Sequence, residues 1–258
     1  MDKRLIAERF ARARATYSRE ARVQQQVAER MMGRIRSLLP EFSPRRIVEF
    51  GCGTGLYSRL LYDTWRPGRL HLNDLCPEMA FCLDDLTARP GVSFVPGDAE
   101  TCPLPDKVDL LTSCSTLQWF ERPDRFFRRA AALLVSGGVL AFSTFGSRNL
   151  REIRALTGKG LAYPSPADLS RWLEEAGLHV LLLDEEEEAL CFPSPLDVLR
   201  HLRMTGVTGT SGHAWSRGRL ADFAQGYARH FGSPRGVTLT YHPVYVIAKK
   251  CAEGLRMN

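Results

Sequence analysis

Residues 47–55 read Ile-Val-Glu-Phe-Gly-Cys-Gly-Thr-Gly, an apolar run that breaks into glycines at alternate positions. So short an apolar stretch, bounded by glycine, predicts a buried strand through Ile47, Val48 and Phe50. Gly51, Gly53 and Gly55 predict a turn that a ligand can approach as bare backbone, since glycine takes left-handed conformations at little cost. The spacing is G-x-G-x-G. Dinucleotide sites use G-x-G-x-x-G ahead of a helix whose N-terminus holds a pyrophosphate. Glu49, just before the turn, would repel a phosphate and suits an ammonium group. Three glycines alone also fit a purely structural turn; the strands that follow argue for a ligand.

A second strand is marked by Leu70, Leu72 and Leu75, with Asp74 near its end, about twenty residues past the turn. A carboxylate there can accept from both hydroxyls of a ribose, at roughly 1.5–3 kcal/mol per charged hydrogen bond. Asn73 is placed to share that task. A third strand, 92–95, runs into Pro96-Gly97-Asp98-Ala99-Glu100, which puts Asp98 where it could accept from an adenine amino group. A fourth strand, 108–113, carries Asp109 and ends in Cys114-Ser115-Thr116-Leu117-Gln118-Trp119-Phe120. A fifth, 139–144, follows Gly137-Gly138.

Strands alternating with helical stretches predict crossover units and a parallel sheet, with ligands beyond the strand C-termini at the topological switch point. Glu49–Gly55, Asp74, Asp98 and Ser115 all fall there. An ammonium acceptor, a ribose acceptor and an adenine acceptor without a phosphate cradle point to S-adenosylmethionine. The predicted cofactor shell is Glu49, Gly51, Cys52 through its backbone amide, Gly53, Gly55, Asn73, Asp74, Leu75, Asp98, Ala99, Glu100 and Ser115.

Over residues 45–148 the chain resembles the class I S-adenosylmethionine-dependent methyltransferases. Further stretches narrow this: 10–17 (Phe-Ala-Arg-Ala-Arg-Ala-Thr-Tyr), Gln24-Gln25-Gln26, Thr116–Trp119, Phe142–Gly146 and, above all, Leu199-Arg-His-Leu-Arg-Met-Thr-Gly206-Val-Thr-Gly209. These resemble the malonyl-[acyl-carrier protein] O-methyltransferases of biotin synthesis, and together they cover nearly the whole chain. The resemblance implies an α/β, Rossmann-like seven-stranded mostly parallel sheet with an antiparallel last strand and a helical cap. It also implies acyl carrier protein as partner and Tyr17 as a closing group over the cofactor.

The 258 residues, 44% hydrophobic, suffice for a full core. No run of eighteen apolar residues and no secretory leader is evident, so a cytoplasmic protein with reduced cysteines is expected. None of the seven cysteines forms a C-x-x-C pair. Of the net +6, residues 1–46 contribute +7, and the remainder is close to neutral. Val23, Val27, Met31, Ile35 and Leu38 recur at helical spacing up to Pro40. This predicts a helix that docks one face and displays arginine on the other, either as a solvated face or as a docking surface for an acidic partner. The Glu185–Glu188 run is expected to be a solvated strand edge or turn without chemistry.

Later elements are expected as a helix over 167–176, a strand over 178–183, helices over 195–204 and 217–231 joined by a Thr/Gly/Ser-rich loop, and a last strand over 241–249. The organisation expected is 1–46 as N-terminal cap and docking helices and 47–193 as cofactor-binding core. Residues 194–236 would be a cap insertion and 237–258 the last strand with the C-terminus, all in one folded unit. Methylation of a carboxylate needs no general base, since carboxyl groups are already ionised at neutral pH. Tyr17, Gln118 and Trp119 are the candidate positioning residues near the sulfonium, and Arg148, His201 and Arg203 the candidate substrate contacts. Other readings are a methyltransferase for a different small acid or a quinone precursor, one for nucleic acid, or a non-catalytic cofactor-binding scaffold. Against nucleic acid, an Asn/Asp-Pro-Pro-aromatic tetrad is missing after the fourth strand, where Ser-Thr-Leu-Gln-Trp stands.

Overall fold

A computed structural model describes residues 2–207 and 215–251. The strands are β1 (Arg46–Phe50), β2 (Arg69–Asp74), β3 (Val92–Pro96), β4 (Val108–Cys114), β5 (Leu134–Phe145) and β6 (Leu178–Glu185). They continue with β7 (Glu188–Phe192), β8 (Gly232–Ser233), β9 (Gly236–Tyr241) and β10 (Pro243–Lys250). The main sheet has seven strands in the order β3-β2-β1-β4-β5-β10-β6. β1 to β5 pair in parallel, while β10 runs antiparallel to both β5 and β6. The expected mostly parallel seven-stranded sheet is the fold observed. Winding reverses between β1 and β4, so a crevice opens beyond their C-terminal ends.

Alternation along β1 sets the two faces. Ile47 joins one core cluster, with Val27, Met31 and Leu61, whereas Val48 and Phe50 join the other, with Phe126, Phe127 and Leu173. The helices on the first face are α2 (Arg22–Leu38) and α3 (Leu56–Trp65), preceded by α1 (Lys3–Glu20). After the one-turn α4 (Asp84–Thr87) comes α5 (Pro123–Leu133), then the short α6 (Arg151–Thr157) and α7 (Pro166–Glu175); α5 and α7 cover the second face. α8 (Pro195–Met204) and α9 (Arg217–Phe231) complete the chain's helices among the described residues. The starts of α7 and α8 are written in sequence. Ser165 and Ser194 each accept from the amide three residues on, with proline at the first helical position.

Several elements depart from expectation. Leu75 lies beyond β2, whose ladder ends where Asp74 turns inward to bind backbone. Leu38, read as part of the apolar face of α2, is 38% exposed because the helix ends there. The expected last strand is β10, antiparallel in the main sheet, but an unexpected β9 precedes it and pairs with β7 and β8 in a separate antiparallel sheet. α8 and α9 therefore lie between β7 and β9 in the sequence. Residues 208–214, including Thr208 and Gly209 of the late motif and most of the Thr/Gly/Ser-rich loop, lie outside the described residues, as do 252–258. No described helix is long and apolar enough to cross a membrane.

The acidic run is not a bare solvated edge. Arg30 bridges Glu186 and Glu188 at 2.8 and 3.0 Å, and Arg34 bridges Asp184 at 2.7 Å and also Glu186. Arg148 and Arg151 hold Glu187, and Arg34 lies 3.9 Å over the Tyr245 ring. Linked pairs share the entropy of ordering, so this network fastens α2 across the β6–β10 edge more firmly than isolated surface bridges would. It also removes Arg30 and Arg34 from any face offered to an acidic partner.

Candidate functional site

The turn after β1 is built by left-handed glycines. Gly51 has φ +67°, and a Cβ there would lie 2.2 Å from Thr116 Oγ1, so β1 and the loop after β4 meet only because residue 51 lacks a side chain. Gly53, at φ +53°, would meet nothing within 4 Å; it faces open space in the crevice. Gly55 caps the start of α3.

Beneath the turn, Glu49 is 1% exposed, and its Oε2 has no hydrogen-bond partner. Burial drives its carboxyl pKa up from 4.5 to about 8; the Ser58 hydroxyl opposes the rise and the Asp74 charge adds to it. An unpaired carboxylate at this depth is unfavourable unless a cation meets it. That unpaired oxygen suits an ammonium group, though Glu49 lies beneath the turn and outside the lining of the cleft.

Asp74 is engaged on both oxygens: Oδ2 accepts from the Gly53 amide and Oδ1 from the Cys76 amide, each at 2.8 Å. Burial raises its pKa, and these two amides hold the rise back. A carboxylate has about four lone-pair sites, so acceptor capacity remains for ribose hydroxyls. Asn73, 1% exposed, donates to the carbonyls of Val95 and Gly97 at 3.0 Å and ties β2 to the end of β3, while its Oδ1 is unpaired. Asp98 accepts from the Glu100 amide at 3.0 Å and from Lys3 Nζ at 2.6 Å.

After β4, Ser115 sits at φ +58°, an unfavourable conformation for a residue with a Cβ. It is held there by its amide on the Ser143 carbonyl and by Gln118 Nε2, 2.5 Å from the Ser115 carbonyl. This turn presents Ser115, Thr116, Trp119 and Phe120 to the crevice. Opposite, α1 supplies Lys3, Ile6, Phe10 and Tyr17. Phe10 meets Trp119 edge-on, with ring centroids 5.7 Å apart. Burial and then the Asp74 charge push the Tyr17 hydroxyl pKa upward, so it remains a proton donor.

The cleft so formed spans about 750 Å³, a figure that includes space open to solvent. It brings together Gly51, Gly53, Asn73, Asp74, Leu75, Asp98, Ala99 and Ser115 with Tyr17 and Trp119. Other expected members stand elsewhere. The Cys52 amide is taken by the Asn73 carbonyl at 3.0 Å. Glu100 accepts from the amides of Glu121 and Arg122 at 2.9 and 2.7 Å and from Lys3, so it braces a loop. Gln118 spends both ends of its amide on Ser115 and Thr144.

The expected substrate contacts are also displaced. Arg148 is bound to Glu185, Glu187 and His242 at the β6–β10 edge. His201, 7% exposed, packs on Phe192 and bonds the Tyr241 hydroxyl at 2.8 Å; burial lowers its pKa, so it is a neutral core residue of the cap. Arg203 is exposed on α8. Sequence reading passed over Lys3, Ile6 and Phe10, although steps of three, four and seven residues from Lys3 to Tyr17 put all four on one helical face.

A family model described as a methyltransferase domain matches residues 48–142. The malonyl-[acyl-carrier protein] O-methyltransferase of Bacteroides thetaiotaomicron is 49% identical over 262 residues, covering 97% of this chain and 99% of that protein. The protein of that name from Porphyromonas gingivalis is 42% identical, covering 96% of each. In Bacteroides fragilis the relative is 53% identical over 96% of this chain, which spans only 50% of that longer protein. Among solved structures, YcgJ of Bacillus subtilis superimposes with a TM-score of 0.63 at 13% identity, over 86% of this chain and 99% of that one. An S-adenosylmethionine-dependent methyltransferase from Mesorhizobium loti does so with a TM-score of 0.54 at 18% identity, over 84% and 96%. These structural likenesses bear on the fold, and the near full-length identities bear on kinship: this chain belongs to the malonyl-[acyl-carrier protein] O-methyltransferase family of S-adenosylmethionine-dependent methyltransferases.

Proposed function

We propose that the protein methylates the free carboxyl of a malonyl group carried on acyl carrier protein, an early step of biotin synthesis in the cytoplasm. The observation that carries this reading is full-length kinship at 49% identity, in a chain whose cleft is lined by Asp74 and Asp98. S-adenosylmethionine supplies an electrophilic methyl group. The chain's task is to align a carboxylate with it and to exclude water, which is worth about 7–11 kcal/mol without any proton transfer. Glu49 takes the ammonium end, Asp74 the ribose and Asp98 the adenine.

Of the described cleft residues only Lys3 is a cation, and it is engaged by Asp98 and Glu100. The malonyl carboxylate is then met by neutral donors, first among them the Tyr17 hydroxyl. Neutral donors suit the reaction, because a strong ion pair would stabilise a charge that disappears in the transition state. Mass spectrometry of malonyl-acyl carrier protein after incubation with the protein and S-adenosylmethionine should show one added methyl, labile to mild base as an ester. No product with either the carrier-borne or the coenzyme A-borne malonyl group would overturn the reading.

We assign carrier docking to Arg4, Arg12 and Arg14 of α1, with Arg200 and Arg203 of the adjoining α8, a reading their exposure supports. These are arginines the acidic run leaves aside. Reversing Arg4, Arg12 and Arg14 to glutamate is expected to raise KM for malonyl-acyl carrier protein about tenfold or more at low salt, an effect of the size that electrostatic steering produces. KM for malonyl-coenzyme A should change little. Equal changes for both substrates would remove α1 from carrier docking.

A further inference from the structure

Lys3 opens α1, and its Nζ reaches two carboxylates at the adenine end of the cleft: Asp98 Oδ2 at 2.6 Å and Glu100. The three side chains are 21, 26 and 10% exposed, so the bridge is partly sheltered but still open to screening by salt. Burial works against the Lys3 charge, but the two carboxylates prevail and the ammonium is retained. Both acids are themselves fixed, Asp98 by the Glu100 amide and Glu100 by the amides of Glu121 and Arg122. Lys3 thus ties the start of α1 to the loops that follow β3 and β4.

Further along the same helical face, Ile6, Phe10 and Tyr17 line the cleft. Phe10 rests against Trp119, and Thr16 bonds the Met204 carbonyl at 3.1 Å. α1 is therefore one wall of the cleft, with an apolar middle and an ionic fastening at its start. We propose that Lys3 is the latch of a closing wall: with cofactor bound, its bridge to Asp98 and Glu100 holds α1 over the adenine end, and the cofactor leaves when that bridge breaks. The inference rests on the cofactor cleft alone and is independent of which acyl substrate is methylated.

The test is the dissociation rate of S-adenosylhomocysteine, followed by chase with excess competitor, in the wild type, Lys3→Gln and Lys3→Arg. Lys3→Gln should release the ligand about tenfold faster, consistent with loss of a charge-assisted bridge, and Lys3→Arg should stay near the wild-type rate. Raising salt from about 50 to about 500 mM should speed release from the wild type and leave Lys3→Gln unaffected. Amides of residues 3–17 in the ligand-bound protein should exchange faster in Lys3→Gln. A merely structural lysine would lower the melting temperature of the cofactor-free protein without moving the release rate. Release from Lys3→Gln within about twofold of wild type, or with the wild type's salt dependence intact, overturns the proposal.

Discussion

Glu49→Gln is expected to stabilise the cofactor-free protein above pH 8 while weakening S-adenosylmethionine at least tenfold. The folded-state pKa is raised from 4.5 to about 8, chiefly by burial. Between those values the folded chain keeps a proton that the unfolded chain has lost, so stability falls as pH rises through this window. Each pH unit of that window costs about 1.4 kcal/mol, so the penalty above pH 8 is of order several kcal/mol, and glutamine removes it. Below the ordinary carboxyl value both variants carry a neutral side chain, and the difference should vanish.

Cofactor binding carries the opposite sign. An ammonium group stabilises ionised Glu49, so wild-type affinity should rise from pH 6 toward 8 as the proton becomes easier to release. Glu49→Gln should bind weakly and show little of that slope. Melting curves at pH 6 and 9, with and without ligand, read both effects together. A variant that melts no higher at pH 9, or that binds the cofactor as tightly as wild type, would take Glu49 out of the ammonium role.

How much was legible follows from the range over which each interaction acts. The β1 turn is written in nine consecutive residues, because strand burial and glycine freedom are local properties, and β1, α8 and α9 fall within a residue of where periodicity and capping put them. The acidic strand ends were legible because a parallel sheet gathers them at one edge. Pairings distant in sequence were not. Nothing local tells that Glu186 answers Arg34, or that Arg148 turns back to Glu187 instead of facing a substrate. His201 looked like a ligand on its own helix, yet the partner that buries it, Tyr241, is forty residues away. The lysine in α1 was hidden for another reason. Counted among the N-terminal cations it read as surface charge, and only the fold sets it against Asp98.

Asp74→Ala should weaken S-adenosylmethionine at least tenfold through two losses that act at the same end of the ligand. One is the ribose acceptor, at roughly 1.5–3 kcal/mol for a charged hydrogen bond. The other is the shape of the turn, because Asp74 Oδ2 is what the Gly53 amide binds. The stability of the free protein should move far less. Stranding the amides of Gly53 and Cys76 is unfavourable, but removing a carboxylate whose pKa burial has raised works the other way. Calorimetry separates the two ends of the cofactor. Asp74→Ala should lose affinity for 5′-methylthioadenosine, which lacks the amino acid, while the pH dependence that Glu49 gives to S-adenosylmethionine binding persists. Glu49→Gln should do the reverse and leave methylthioadenosine untouched. If both substitutions weaken both ligands equally, the carboxylates shape the turn jointly and do not divide the cofactor between them.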